Sequence, residues 1–255
     1  VITSSDNPLI QRIRSLQTKR RERERQRRMV IEGVRLLEEA LGARVTLEAV
    51  LHGRDLGSRE LAVIRRAEAT GARLTAAAPG ALRAASETET PAGLIAIAAL
   101  PELEIKSRDL VVVADGLQDP GNLGTLLRTA VAAGADAALI MPGSIDVFNP
   151  KVVRAGMGAH FQLPLRTLTW PELPAVLAGT PAWLADVGAG PAYFDVDWRA
   201  PAALIVSAEA HGPSPEALAC TERRVHIPMP GPADSLNAAV AAGVVLFEVA
   251  RQRTM

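Results

Sequence analysis

The stretch DGLQDPGNLGTLLRTA, Asp115–Ala130, decides the fold. It follows the apolar run Leu110–Ala114, which predicts a buried strand. Asp119 can cap a helix and Pro120 fits its first turn, where the missing N–H is no loss. Leu123, Leu126, Leu127, Ala130 and Val131 recur at helical spacing and make one apolar face. Asn122, Thr125, Arg128 and Thr129 are left on a polar stripe. Gly124 costs such a helix about 1 kcal/mol relative to alanine, so a glycine here predicts a close neighbour to the backbone. A helix thus starts just past a strand end and aims an amide and a guanidinium at one region. Helix starts favour anions, and α/β proteins bind ligands outside strand ends.

Outward from this stretch the chain alternates strands and helices. After it come strands at Ala137–Ile140, Ala182–Ala185, Ala203–Ser207 and Arg224–Ile227. Helices are predicted at Gly121–Ala133, Pro150–Gly158, Pro171–Ala178, Pro215–Cys220 and Ser235–Arg251. Repeated β–α alternation predicts a mostly parallel sheet with right-handed crossovers. The last helix is apolar nearly all round, which calls for burial on several sides, within the domain or in a subunit contact. Before the stretch lies a smaller α/β unit. Its strands are Met29–Glu32, Val45–Leu51, Arg73–Thr75 and Gly93–Ala99, and its helices Gly33–Leu41, Ser58–Thr70 and Pro79–Ala85. The charged segment PELEIKSRD, Pro101–Asp109, marks the boundary, giving domains at 1–106 and 107–255.

A net charge of zero hides an asymmetry. Residues 1–106 carry 18 basic and 14 acidic side chains, and residues 107–255 carry 10 and 14. A helix over Ser4–Arg28 has a short apolar seam, Ile10, Ile13, Leu16 and Gln17, and stands apart from the body. It ends in KRRERERQRR, Lys19–Arg28, with seven basic residues against two glutamates. Two readings stand. One is a solvated face of Glu–Arg pairs. The other is a phosphate-contacting arm built on Lys19, Arg20, Arg21, Arg23, Arg27 and Arg28, since arginine's fork suits phosphate. The basic head points to a polyanion partner. With aromatics at 3%, base stacking does not dominate. The single cysteine, Cys220, rules out an internal disulfide framework and multi-cysteine zinc sites, and favours a reducing cytoplasm. No apolar run reaches the 18 residues that predict a membrane span.

Ordinary nucleotide fingerprints are missing. No GxGxxG follows Leu110–Ala114, no GxxxxGK[ST] occurs, and Gly188–Ala189–Gly190 runs into Pro191 without a helix start. The four histidines have no ligand spacing, and no metal site is expected. Three segments remain, each at a strand end: Asn122–Arg128; SAEAHG, Ser207–Gly212, with Glu209; and HIPMPGPADSLN, His226–Asn237. Prolines 228, 230 and 232 bar regular structure from the third. Its backbone amides and carbonyls suit a flat heterocycle. Ser235 reads as the cap of the final helix, with Asn237 in its first turn.

Together these segments resemble the SpoU/TrmH family of RNA ribose 2′-O-methyltransferases, within the SPOUT superfamily. NLGTLLR, Asn122–Arg128, matches its first motif, Ser207–Gly212 its second and Ile227–Asn237 its third. SSDNPLIQRIRSL, RMVIEG at Arg28–Gly33 and PAGLIAI at Pro91–Ile97 resemble its amino-terminal RNA-binding domain. Ser207 and Ala210 stand where the family usually has glycine. The resemblance implies a C-terminal α/β domain with a deep trefoil knot and a mostly parallel sheet, beside a small N-terminal α/β RNA-binding domain. It implies S-adenosylmethionine as methyl donor, with cofactor contacts at Ser207, Ile227, Met229 and Leu236. It places reaction residues at Asn122, Arg128, Glu209, Ser235 and Asn237. It further implies a homodimer through the C-terminal domain and an RNA substrate of the 23S rRNA type, with no metal and no membrane. A silent RNA-binding relative that kept the fold, and a Rossmann-type oxidoreductase, are the alternatives.

Overall fold

The computed structural model describes residues 1–88, 93–209 and 211–254. The chain packs as two units, Val1–Pro101 with Phe148–Phe161, and Glu102–Val147 with Gln162–Met255. No helix among the described residues is long and apolar enough to cross a membrane.

The first unit begins with α1 (Pro8–Thr18), α2 (Arg20–Gln26), β1 (Arg28–Glu32), α3 (Val34–Gly42) and β2 (Leu47–His52). It continues with α4 (Ser58–Ala69), β3 (Arg73–Ala76), α5 (Pro79–Ala85) and β4 (Leu94–Ala99). The sheet order is β1-β4-β2-β3, with β4 antiparallel to both neighbours and β2 parallel to β3. Both faces are covered, so strand alternation sorts apolar residues between two cores rather than between core and water. Met29, Ile31, Leu94 and Ala96 face α3 and α4. Val30, Ile95 and Ile97 face α1 and α5.

The N-terminal helix departs from the sequence reading in two ways. It breaks at Lys19, whose backbone is extended (φ −114°, ψ 107°). It also does not stand apart: Ile10, Ile13 and Leu16 are fully buried in the second of these cores. Each such side chain contributes roughly 1.5–3 kcal/mol through burial. Gln17 is buried as well and donates from Nε2 to the Ala85 carbonyl at 2.9 Å.

The second half contains β5 (Leu110–Asp115), α6 (Pro120–Ala132), β6 (Ala137–Ile140), α7 (Pro150–Gly156) and β7 (Leu165–Thr167). It ends with α8 (Leu173–Leu177), β8 (Ala182–Ala185), β9 (Ala202–Ser207), α9 (Pro215–Cys220), β10 (Arg224–Val225) and α10 (Ala238–Thr254). The segment holding α7 packs into the first unit, where Val153 and Phe161 join the face with Met29 and Ile31. The expected helix at Pro171 is shorter: a 3-10 turn over Trp170–Glu172 leads into α8. Strand β7 has only three residues, too few to show an alternation.

The sheet of the second unit runs β10-β8-β9-β5-β6-β7 and is parallel throughout. From β5 the chain steps outward through β6 and β7, then returns to build β8, β9 and β10 on the other side. The order therefore reverses beside β5, and parallel sheets open a crevice at such a point. One face carries Val111, Val113, Leu139, Leu184 and Ile205 under α8 and α9. Helices α6 and α10 pack on each other, and α10 also on β9. The charged boundary segment is held to this unit. Arg166 Nη2 donates to the Leu103 carbonyl at 2.6 Å, and Ile105 packs against the core.

Candidate active site

All strands of the second sheet point the same way, so their carboxyl ends share one rim. A cavity of about 310 Å³ opens there, lined by Ala185, Ser207 and Val225 from the ends of β8, β9 and β10. Ile227, Met229 and Leu236 add apolar wall from the proline-rich loop, and Glu209 and Ser235 add polar groups. The four residues expected to contact a cofactor, Ser207, Ile227, Met229 and Leu236, thus line one cavity.

Local chemistry explains how each wall is set. Asp119 caps α6 by accepting from the Asn122 amide at 2.8 Å, which fixes the helix start and turns the Asn122 side chain outward. The final helix starts at Ala238 rather than Ser235. Its cap is Asn237, whose Oδ1 accepts from the amides of Ala239 (3.1 Å) and Val240 (3.2 Å). Ser235 is exposed on the cavity wall and does not cap the helix. The G-x-G at Gly188–Gly190 is a close backbone approach. A Cβ at Gly190 would sit 2.3 Å from the Arg224 carbonyl oxygen, and its φ is +77°. There His226 Nδ1 meets the Gly190 carbonyl at 3.0 Å, tying that loop to the strand end beside the cavity.

Three motif residues meet at one atom. Glu209 Oε1 accepts from Asn122 Nδ2 (3.0 Å), Asn237 Nδ2 (2.8 Å) and the Ala238 amide (2.7 Å). Asn237 Nδ2 also donates to Asn122 Oδ1 at 2.8 Å. The carboxylate thereby joins the first turn of α6 to the first turn of α10, with charge-assisted bonds stronger than neutral ones. Arg128 is on α6 but outside this cluster. It is exposed, and among the described residues it has no hydrogen bond or ion pair.

The Ser207 hydroxyl is engaged by a buried carboxylate. Its Oγ donates to Asp115 Oδ2 at 2.8 Å, and the same oxygen accepts from the Ser214 amide at 2.9 Å. Asp115 is 2% exposed and escaped the sequence reading of candidate residues. Its one visible signal is an acid ending an otherwise apolar strand. Asp186 also lines the cavity and was missed, because it belongs to no recognisable spacing, whereas His226, which opens the third segment, lines it as well. Ala210, the second departure from glycine, lies outside the described residues, as does part of the Pro91–Ile97 stretch.

The basic arm divides. Lys19, Arg20, Arg21 and Arg27 are exposed. Arg20 pairs with Glu24 at 2.7 Å and Arg25 with Glu22 at 2.6 Å, as the solvated-face reading expects. Arg28 is half-buried and pairs with Glu48 at 3.0 Å. Arg23 departs from the phosphate-contact expectation. It is 3% exposed, and its Nη1 donates to the carbonyls of Leu16 (2.6 Å) and Gln17 (2.9 Å). Those carbonyls lie in the last turn of α1, left without helical partners by the break at Lys19.

Residues 109–247 match the SpoU rRNA Methylase family, and residues 7–96 match the MRM3-like substrate binding domain. The chain is 32% identical over 250 residues to the 23S rRNA (guanosine(2553)-2′-O)-methyltransferase RlmP of Bacillus subtilis (strain 168), covering 97% of this chain and 98% of that one. It is 31% identical over 293 residues to the Homo sapiens rRNA methyltransferase 3, mitochondrial, covering 90% of this chain and 69% of that one. The crystal structure of the SpoU methyltransferase AviRb from Streptomyces viridochromogenes, in complex with the cofactor AdoMet, matches with a TM-score of 0.87 and 29% identity. That match covers 97% of this chain and 98% of that chain.

Proposed function

The chain belongs to the SpoU rRNA methylase family, and on that premise we infer that it transfers a methyl group from S-adenosylmethionine to a ribose 2′-hydroxyl of ribosomal RNA. The observation that carries this reading is the meeting of Asn122, Glu209 and Asn237 beside the cavity lined by Ser207, Ile227, Met229 and Leu236. The cavity's chemistry fits the cofactor. Apolar side chains and loop backbone suit a purine, and the carboxylates Asp186 and Glu209 bring negative charge toward a sulfonium. When bound, the cofactor supplies a methyl group already activated for transfer.

The protein's part is then to position the hydroxyl and ease the loss of its proton. Arginine stays protonated in proteins. We therefore assign Arg128 to holding an RNA phosphate and stabilising developing negative charge on the ribose oxygen. Ser235 and Asn237 orient the ribose. Asn122 and Glu209 hold the two helix starts in register around it. The trefoil knot implied by the family resemblance is part of this reading, supported by the convergence of the Ser207 and His226 loops on one cavity.

Residues 1–106 are assigned to RNA binding, supported by the substrate-binding match and by the exposed Lys19, Arg20, Arg21 and Arg27. A homodimer through α10 is supported by its exposed apolar residues Val240 (52%) and Phe247 (53%). We place the protein in the cytoplasm, with 23S-type ribosomal RNA as partner. The test is incubation of the purified protein with S-adenosylmethionine and unmodified large-subunit RNA, followed by mapping of ribose methyls. A new 2′-O-methyl is expected. Methylation on a base, or no transfer to any RNA, would overturn the reading.

A further inference from the structure

The loop after β9 is held at both ends by one buried carboxylate. Asp115 ends β5 directly opposite Ser207 in the parallel ladder. Its Oδ2 accepts from Ser207 Oγ (2.8 Å) where the loop begins and from the Ser214 amide (2.9 Å) where it closes. Its own carbonyl takes the Ala208 amide at 3.1 Å. Ser214 then caps α9 through the Ala217 amide at 3.1 Å. Between these anchors stands Glu209, whose Oε1 gathers Asn122, Asn237 and the Ala238 amide.

Asp115 does not line the cavity. Among the described residues no cation pairs with it, although it is 2% exposed. Burying a charge without a counter-charge is costly, and a neutral acceptor would serve a purely structural latch. The charge strengthens both bonds, and both bonds set one thing, the path of the loop that carries Glu209. We propose that Asp115 is a positioning residue for methyl transfer, fixing the loop Ser207–Ser214 so that Glu209 meets Asn122 and Asn237. This rests on the methyltransferase reading of the same site.

The test is a double-mutant cycle with Glu209→Gln, read by single-turnover methylation and by hydrogen exchange at the Ala238 amide. Asp115→Ala is expected to slow methylation by about 10- to 100-fold, the range typical of coupled neighbours. In the Glu209→Gln background the same change should cost less than about threefold, because the two act through one loop. Exchange at Ala238 should quicken while that of Leu246, deeper in α10, stays unchanged. Asp115→Asn, which keeps an acceptor oxygen but loses the charge, should recover the rate only in part. If Asp115→Ala does not fold, Ser207→Ala and Asp115→Asn take its place in the cycle. Equal losses in both backgrounds, or unaltered exchange at Ala238, would overturn the proposal. A wild-type protein that methylates no RNA would sink the functional reading instead, leaving the exchange result to judge Asp115.

Discussion

Asn122 and Asn237 stand 115 positions apart in the chain and are hydrogen-bonded at 2.8 Å, each also donating to Glu209 Oε1. The triad clamps the starts of α6 and α10 together at the edge of the cavity. Removing the carboxylate charge leaves three donors competing for a weaker acceptor. Glu209→Gln should therefore reduce methylation by about 10-fold or more, in line with loss of charge-assisted bonds of roughly 1.5–3 kcal/mol. Thermal melting and single-turnover kinetics would be compared. A variant melting like wild type and turning over at the wild-type rate would remove Glu209 from the machinery.

Arg128 needs no partner in the fold: it is exposed and, among the described residues, unpaired. Arg128→Ala should leave stability and S-adenosylmethionine affinity nearly intact and reduce methylation by about 100-fold or more, the scale of losing one electrostatic stabiliser. Calorimetry and methyl-transfer assays separate the two effects. Weakened cofactor binding with unchanged turnover would reverse the assignment.

The basic arm predicts two different phenotypes. Replacing the exposed Lys19, Arg20, Arg21 and Arg27 with glutamine should weaken RNA binding and flatten its logarithmic salt slope by up to about 3. Arg23→Met should instead destabilise the protein by about 1–3 kcal/mol, since two carbonyls of α1 lose their donor. Filter binding across salt concentrations and urea melts distinguish them. A fourfold variant with the wild-type slope would take the arm out of the RNA interface.

Glu48 gives an acid-stability prediction. Hydrogen bonds from Arg12 first, then Arg28, hold its carboxyl below the usual carboxylate range, against the opposing effect of burial. A folded value below the unfolded one means the stabilisation is present above the ordinary carboxylate pKa. It is lost as pH falls through the folded value. Both partners are about one-third exposed, so screening keeps the contribution to about 1 kcal/mol or less. Glu48→Gln should cost that much near neutral pH and progressively less as the pH falls below the ordinary carboxylate range. Urea melts at several pH values measure it. An equal cost across the range would assign the loss to packing.

Phe247 and Val240 leave apolar surface on α10 that no described residue covers. If the proposed homodimer forms through α10, Phe247→Asp should convert it to a folded monomer in sedimentation. A wild-type protein that sediments as a monomer, or a variant with an unchanged sedimentation coefficient, would overturn the proposed α10 contact.

Local sequence determined much of this protein. The apolar runs at Leu110, Ala137, Ala182 and Ala202 are strands, and Asp119 with Pro120 starts α6, because caps, proline geometry and side-chain periodicity act within a few residues. The same locality explains the misreadings. Ser235 and Asn237 are equally good caps by residue type, and only the path of the proline-rich loop brings Asn237 to the first amides of α10. Arg23 looks like its neighbours in KRRERERQRR until the break at Lys19 folds α2 back and turns its guanidinium onto α1. The tertiary structure alone decided that Asp115 holds Ser207 and Ser214, and that Asn122, Glu209 and Asn237 share one oxygen. Hydrogen bonds reach about 3 Å, so which distant residues meet depends on strand order and direction, and those are settled by the packing of the whole sheet.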